Sequence, residues 1–222
     1  MHTHDSNESR VLKHALPSRL FHWSLVLGFV PAAITGFIIW LKPGGSEFVH
    51  QAMQIHIIGA AIFSIASLLY FIFAFDRVIA FIRLTFTWEE NDFAWLKVGG
   101  GYPQKMLLGK EIPLPPVDKM HAGQKQFALA LLPGALFLIF SGWILYAFIP
   151  FAPKAFIYWL DLGHLWIGVG LGLFMFAHIF LGIYNWGEFK TMFGDGTQSL
   201  SEAKHHTPLW VETKVVPKDK TV

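Results

Sequence analysis

Four uninterrupted apolar runs constrain this chain more than any other feature. They cover about 21–41, 55–75, 127–150 and 156–186. Each reaches the roughly 20 residues that an α-helix needs to cross about 30 Å of hydrocarbon. Lipid offers no hydrogen bonds, so the backbone of each run must satisfy its own N–H and C=O groups, which makes each a helix. The expected fold is all-α, an integral membrane four-helix bundle. The first run follows a polar segment of about 20 residues and is too long for the core of a signal peptide, so it is expected to remain as the first helix. The whole chain, 1–222, reads as one membrane domain with a long loop at 76–125 and a polar tail at 187–222, whose last dozen residues are expected to be disordered.

Orientation follows from the basic residues. Of the seventeen Lys and Arg, only Lys42 and Lys154 fall in the connections between runs one and two and between runs three and four. The rest lie in the N-terminal segment, the 76–125 loop and the tail, so the positive-inside rule puts both termini in the cytoplasm. The expected location is an inner (cytoplasmic) membrane of bacterial or archaeal type. The loop mixes Phe86, Trp88, Phe93 and Trp95 with Gly99 to Gly101 and with Pro113, Pro115 and Pro116. It reads either as a partner-docking or membrane-surface segment or as a solvated connector with interfacial aromatics.

The chain has no cysteine, which excludes a disulfide framework, a thiolate iron–sulfur cluster, a Cys-containing zinc site and a covalently attached c-type haem. Any metal chemistry must use histidine. With only 14% charged residues the chain still carries eleven His, and a bilayer tolerates ionisable groups mainly where they work. The net charge of +2 is too small to argue for nucleic acid. His2, His4, His14, His50, His205 and His206 lie outside the runs, while His22, His56, His121, His164 and His178 lie inside them or at their mouths.

The spacing of His164 and His178 is the sharpest signal. Fourteen residues bring a helix within about 40° of four full turns, so both imidazoles project from nearly one face, about 21 Å apart along the axis. One helix then carries two ligands at two depths. In the N-in orientation His164 and His56 share the outer level, and His178 and His22 share the inner one. Paired imidazoles from facing helices are what a six-coordinate b-type haem needs. The expectation is two haem b, held by His56/His164 and by His22/His178. Gly28, Gly36, Gly59, Gly163, Gly168, Gly170, Gly172 and Gly182 are expected beside them, where a porphyrin displaces side chains; the alternative is ordinary helix packing. Asp161 is the only acid within the four runs, which disfavours a carboxylate metal site or proton path.

The segment Arg19-Leu20-Phe21-His22-Trp23, the stretch Ile55-His56-Ile57-Ile58-Gly59, Ala122-Gly123-Gln124-Lys125, the two helix-four histidines and the tail Lys204-His205-His206-Thr207-Pro208-Leu209-Trp210 together resemble the cytochrome b, or gamma, subunit of respiratory formate dehydrogenases. That group sits within the wider diheme cytochromes b of molybdoenzymes and hydrogenases. The resemblance runs through nearly the whole chain in order. It implies a membrane anchor and electron-transfer subunit that passes electrons between a periplasmic iron–sulfur partner and quinone, either menaquinone or ubiquinone. It also implies a catalytic molybdenum or tungsten (or nickel–iron) subunit beyond that partner, so that no substrate is oxidised on this chain.

In that family the loop before helix three has the form Tyr-Asn-x-Gly-Gln-Lys and takes part in the quinone site. The matching residues here are Met120 to Lys125, which nominates His121, Gly123 and Gln124. His121 stands where the family has Asn; it can still donate a hydrogen bond and, unlike Asn, can also carry a proton at neutral pH. Arg19, one turn before His22, is expected either to pair with a haem propionate or to serve as an interfacial charge. The alternatives are the same conduit serving a hydrogenase or a thiosulfate or polysulfide reductase, or a haem-free membrane anchor or transporter module.

Overall fold

The computed structural model describes residues 9–215. A short strand β1 (Arg10–Leu12) leads into α1 (Leu16–Leu41) and α2 (Ser46–Phe73). The stretch after them holds α3 (Phe75–Phe86), α4 (Glu90–Lys97) and α5 (Tyr102–Leu108). Next come α6 (Ala122–Phe148), α7 (Lys154–Tyr184), α8 (Trp186–Phe193), strand β2 (Thr197–Ser199) and α9 (Leu200–His206). Helices α1, α2, α6 and α7 contain the four apolar runs and are long and apolar enough to cross a membrane.

All four of these helices start earlier than hydropathy alone suggests, α2 most clearly. Its first turns are polar, yet Gln51 donates to Glu47 at 3.1 Å and Gln54 bonds His50 at 3.1 Å, one turn apart in each case, and such pairs carry a helix through water. The break comes only at Pro43-Gly44-Gly45, preceded by Lys42 with φ 50°. His56 therefore lies well inside α2 rather than at its start.

The chain divides into two compact units. One comprises 17–78 and 130–184 and contains the spanning helices. Its α1 and α2 cross in backbone contact: a Cβ on Gly28 would lie 2.6 Å from the Phe63 nitrogen, and one on Gly59 2.7 Å from the Gly28 oxygen. The Gly163 position likewise abuts the Phe137 ring at 3.0 Å. Gly28, Gly59 and Gly163 are thus helix-packing glycines and not room for a ligand, because here the void left by the missing side chain is filled by the neighbouring helix. Phe29, Phe63 and Leu171 form the buried centre, with Leu138, Ile167 and Met175 packed on it. On the other side of α1, Leu20, Leu27, Ile34 and Leu41 are each more than half exposed at seven-residue spacing, the stripe expected of a lipid-facing surface. Trp143 donates to Ser64 at 3.0 Å between α6 and α2.

The other unit comprises the chain up to residue 16, residues 79–129 and residues from 185 on. Most of the 76–125 stretch that composition suggested was a loop is helical. A reciprocal capping box between Glu89 and Asp92 starts α4. Gly99, Gly100 and Gly101 all have positive φ, and a Cβ on Gly100 would lie 2.1 Å from the Trp95 ring. Only glycine permits that turn. Asp92 also accepts from Lys125 at 2.7 Å, and the same ammonium donates to the Thr87 carbonyl at 2.8 Å. This buried pair ties the start of α6 to α4. At the termini β1 and β2 pair antiparallel, and the buried Lys13 ammonium forms an ion pair with Glu188. The tail is more ordered than its polarity suggests: Val211 is 2% exposed and packs with Ala203 and Trp210, so an apolar anchor holds this stretch. His2, His4 and 216–222 lie outside the described residues.

The close approach at the α1/α2 crossing is testable. Gly28→Ala forces a methyl group into the backbone of α2 and is expected to destabilise the fold by about 1–3 kcal/mol. A lowered melting temperature of the purified chain in detergent checks this.

Candidate functional site

Within the spanning unit, three helices deliver four imidazoles as two pairs. The rings of His56 (α2) and His164 (α7) have centroids 6.2 Å apart at 70°. Those of His22 (α1) and His178 (α7) are also 6.2 Å apart, at 54°. Two imidazoles bonded through nitrogen to opposite sides of one first-row metal ion, with bonds of about 2.0–2.1 Å, have ring centres roughly 6 Å apart. Both pairs therefore have the spacing of a trans bis-imidazole centre. Among the described residues no cluster of three or more His, Cys, Asp or Glu is placed to hold a metal ion. A metal between either pair needs its remaining ligands from a non-protein group, which a planar macrocycle supplies.

The environment of the first pair fits that geometry at the level of single protons. His56 Nδ1 lies 2.8 Å from the Ala32 carbonyl, so it carries the proton and donates. His164 Nδ1 lies 2.8 Å from Ser141 Oγ; the Ser141 hydroxyl itself donates to the Phe137 carbonyl at 2.6 Å, so it accepts from the ring. With both Nδ1 atoms protonated, both Nε2 atoms keep their lone pairs for a metal. Two glycines hold the rings edge-on. A Cβ on Gly36 would lie 3.4 Å from His56 Cε1, and one on Gly142 3.2 Å from His164 Cε1. In the second pair, Trp23 packs edge-on against His22 at 5.4 Å. Arg19 lies half-buried in the first turns of α1, three residues before His22.

The residues nominated for quinone lie in the other unit, at the N-terminus of α6. His121 is the cap of that helix. Its Nδ1 accepts from the Gln124 N–H at 3.3 Å, and its own N–H donates to Gln124 Oε1 at 3.1 Å. The proton on the ring is therefore on Nε2. The ring stacks on Trp95 at 4.5 Å and 15°, and Gly123 leaves room for that indole: a Cβ there would lie 2.9 Å from it. Burial, followed by the nearby Lys13 charge and opposed by Asp92, pushes the His121 imidazole down to about 4. In this fold the buried His121 ring is therefore neutral near pH 7. A capping nitrogen that already accepts a backbone N–H has no room for a proton, and the positive end of a helix opposes one.

Sequence reasoning overlooked Ser141, Gly142, Thr35 and Trp95. A signal for the first three was present: Ile34-Thr35-Gly36-Phe37-Ile38-Ile39-Trp40 parallels Phe140-Ser141-Gly142-Trp143-Ile144-Leu145-Tyr146. Nothing in the sequence marks Trp95 out from the other loop aromatics.

Residues 13–195 match the family model described as prokaryotic cytochrome b561. The chain is also 25% identical over 227 residues to the formate dehydrogenase cytochrome b556 subunit of Haemophilus influenzae, an alignment covering 96% of this chain and 87% of the relative.

The neutral state of His121 has a pH signature. The unfolded imidazole titrates near 6.5 and the folded one near 4, so the unfolded chain binds the extra proton as pH falls through that window. The contribution of the neutral ring is fully present above about pH 6.5 and is lost progressively toward pH 4. His121→Asn, which can cap without titrating, is expected to lose less stability than the native chain between pH 6.5 and 4. Paired melting curves across that range check this.

Proposed function

The chain belongs to the prokaryotic cytochrome b561 family, and from that premise we propose that it is the diheme membrane subunit of a formate dehydrogenase-type complex, linking an iron–sulfur partner to quinone. The coarser statement needs no proposal. This is a multi-pass inner-membrane cytochrome b of bacterial type, and its cofactor is haem b. That sets aside the haem-free anchor or transporter. The name of the relative at 25% identity favours a formate dehydrogenase-type partner over a hydrogenase or a thiosulfate or polysulfide reductase.

The observation that carries the reading is the equal 6.2 Å spacing of two imidazole pairs. In this reading His56 and His164 hold one haem b and His22 and His178 the other. Each haem, when bound, supplies a one-electron carrier. The Ala32 carbonyl and the Ser141 hydroxyl hold His56 and His164 in the tautomer a metal needs. The distribution of Lys and Arg supports the N-in, C-in orientation. In it His56 and His164 lie toward the periplasmic side, where the iron–sulfur subunit docks, while His22, His178 and the start of α6 lie toward the cytoplasm. Arg19, one turn from His22 at that end, is the proposed partner of a haem propionate there.

Quinone reduction takes two electrons and two protons. His121 is the proposed donor to a quinone carbonyl through Nε2–H, with Gly123 seating the Trp95 indole on which the imidazole stacks and Gln124 fixing the imidazole from the other side. Because His121 is neutral, it positions the quinone and stores no proton. The protons come from the aqueous side, and substrate oxidation belongs to the partner's catalytic molybdenum or tungsten subunit.

Two substitutions test the two halves of the reading. His56→Ala is expected to lower haem content from two to one per chain, read from the pyridine haemochrome spectrum. Loss of both haems, or of neither, refutes the pairing. His121→Ala is expected to slow quinone turnover about tenfold, the worth of one hydrogen bond, at unchanged haem content, whereas His121→Asn retains turnover. Unaltered quinone kinetics in His121→Ala removes it from the site.

A further inference from the structure

The two histidines of the His56/His164 pair sit in matching half-sites. On one side Thr35-Gly36 of α1 faces His56 of α2, twenty-one residues separating the hydroxyl from the ring. On the other, Ser141-Gly142 of α6 faces His164 of α7, at a separation of twenty-three. In each half-site the glycine sits against Cε1 of the ring, and the hydroxyl donates one turn back along its own helix: Thr35 to the Pro31 carbonyl at 2.6 Å, Ser141 to the Phe137 carbonyl at 2.6 Å. Each hydroxyl has one proton and has spent it, so toward the imidazole it can only accept.

The half-sites differ in what takes the Nδ1 proton. His56 gives it to a backbone carbonyl, Ala32 at 2.8 Å, with Thr35 Oγ1 farther away at 3.4 Å. His164 gives it to the Ser141 hydroxyl at 2.8 Å. A backbone acceptor cannot be altered by substitution, but a side-chain acceptor can. An acceptor on Nδ1–H pushes electron density through the ring, makes Nε2 a stronger donor and favours the more positive state of the metal it binds.

We propose that Ser141 is the positioning residue that fixes the His164 tautomer and holds down the reduction potential of the haem bound by His56 and His164. The proposal rests on the ligand assignment given above and deepens it. On the His56 side the near acceptor is the Ala32 carbonyl at 2.8 Å, so Ser141 is the position in the pair at which the near acceptor is a replaceable side chain.

The test uses the full chain reconstituted with haem, with the midpoint potential of each haem read by spectroelectrochemical titration. Ser141→Ala removes the acceptor. Ser141→Cys, close in size but a weak acceptor, does so without opening a space, and Ser141→Thr restores it. Both Ala and Cys variants are expected to keep two haems. They should raise the midpoint of one haem so that its reduced-to-oxidised ratio at a given potential rises about tenfold, which for one electron is about 59 mV. The Thr variant returns it to the native value. Unchanged potentials in the Ala and Cys variants, an equal shift of both haems, or haem loss in all three variants overturns the proposal. His164→Ala, measured in parallel, separates the two levels. If it loses one haem while the Ser141 variants leave potentials unmoved, the role of Ser141 fails and the ligand assignment stands; if it keeps both haems, the assignment itself fails and the proposal falls with it.

Discussion

An imidazole carried into hydrocarbon brings two nitrogens, one a donor and one an acceptor, and neither can be left bare without a cost of several kcal/mol. The architecture of the spanning unit answers that constraint. For His56 and His164 the donor side is satisfied by the protein itself, through Ala32 and Ser141. That leaves the two acceptor nitrogens directed to a centre between rings 6.2 Å apart, which in the proposed reading is iron. The same constraint explains why the pairs come from facing helices. One helix cannot aim two rings at a common point from opposite sides, so α7 supplies one ring to each pair and α1 and α2 supply the others.

Bringing helices that close, with rings between them, requires small residues at particular places, and these fall into two groups. Gly28 and Gly59 let backbones touch, at the crossing of α1 and α2, while Gly36 and Gly142 let the edge of an imidazole come up against a helix. The first group stabilises by packing, since lipid gives no hydrophobic force for helix association. The second meets the Cε1 edge of each ring and so sets where a ring can sit. The parallel between Thr35-Gly36 and Ser141-Gly142, each facing a histidine one helix later, makes the α1–α2 and α6–α7 pairs two versions of one motif. One version uses backbone and the other a side chain to take the ring proton.

The parts of this arrangement legible in the sequence were those with a period. Hydropathy located the four spanning helices because lipid demands continuous apolar length, and the fourteen-residue interval placed His164 and His178 on one face because helix geometry is regular. Helix starts were less legible: α2 runs back to Ser46 through polar turns that water and i,i+4 side-chain pairs support equally well. The 76–125 stretch misled for a different reason. Its helices are short and depend on tertiary devices, the Asp92–Lys125 pair and the Trp95 ring seated against Gly100 and Gly123, neither of which leaves a periodic trace. Glycines were counted correctly as important, but a glycine at a helix crossing and one beside a ligand look alike in one dimension.

The cap of α6 shows how a local structural demand decides a chemical role. A histidine where the family pattern has asparagine looks, from composition alone, like an added proton carrier. At a helix N-terminus the four leading N–H groups need acceptors, and Nδ1 of His121 serves as one. Protonating that nitrogen would break the cap, place a positive charge at the positive end of the helix dipole and bring it toward Lys13. Together with burial, these outweigh the opposing charge of Asp92, so the ring stays neutral and its only proton is on Nε2. The substitution thus preserves what asparagine offers at that position, a neutral donor beside a helix cap, and the extra titratable group adds no proton store. Whatever delivers protons to a quinone bound there must be a group other than this histidine.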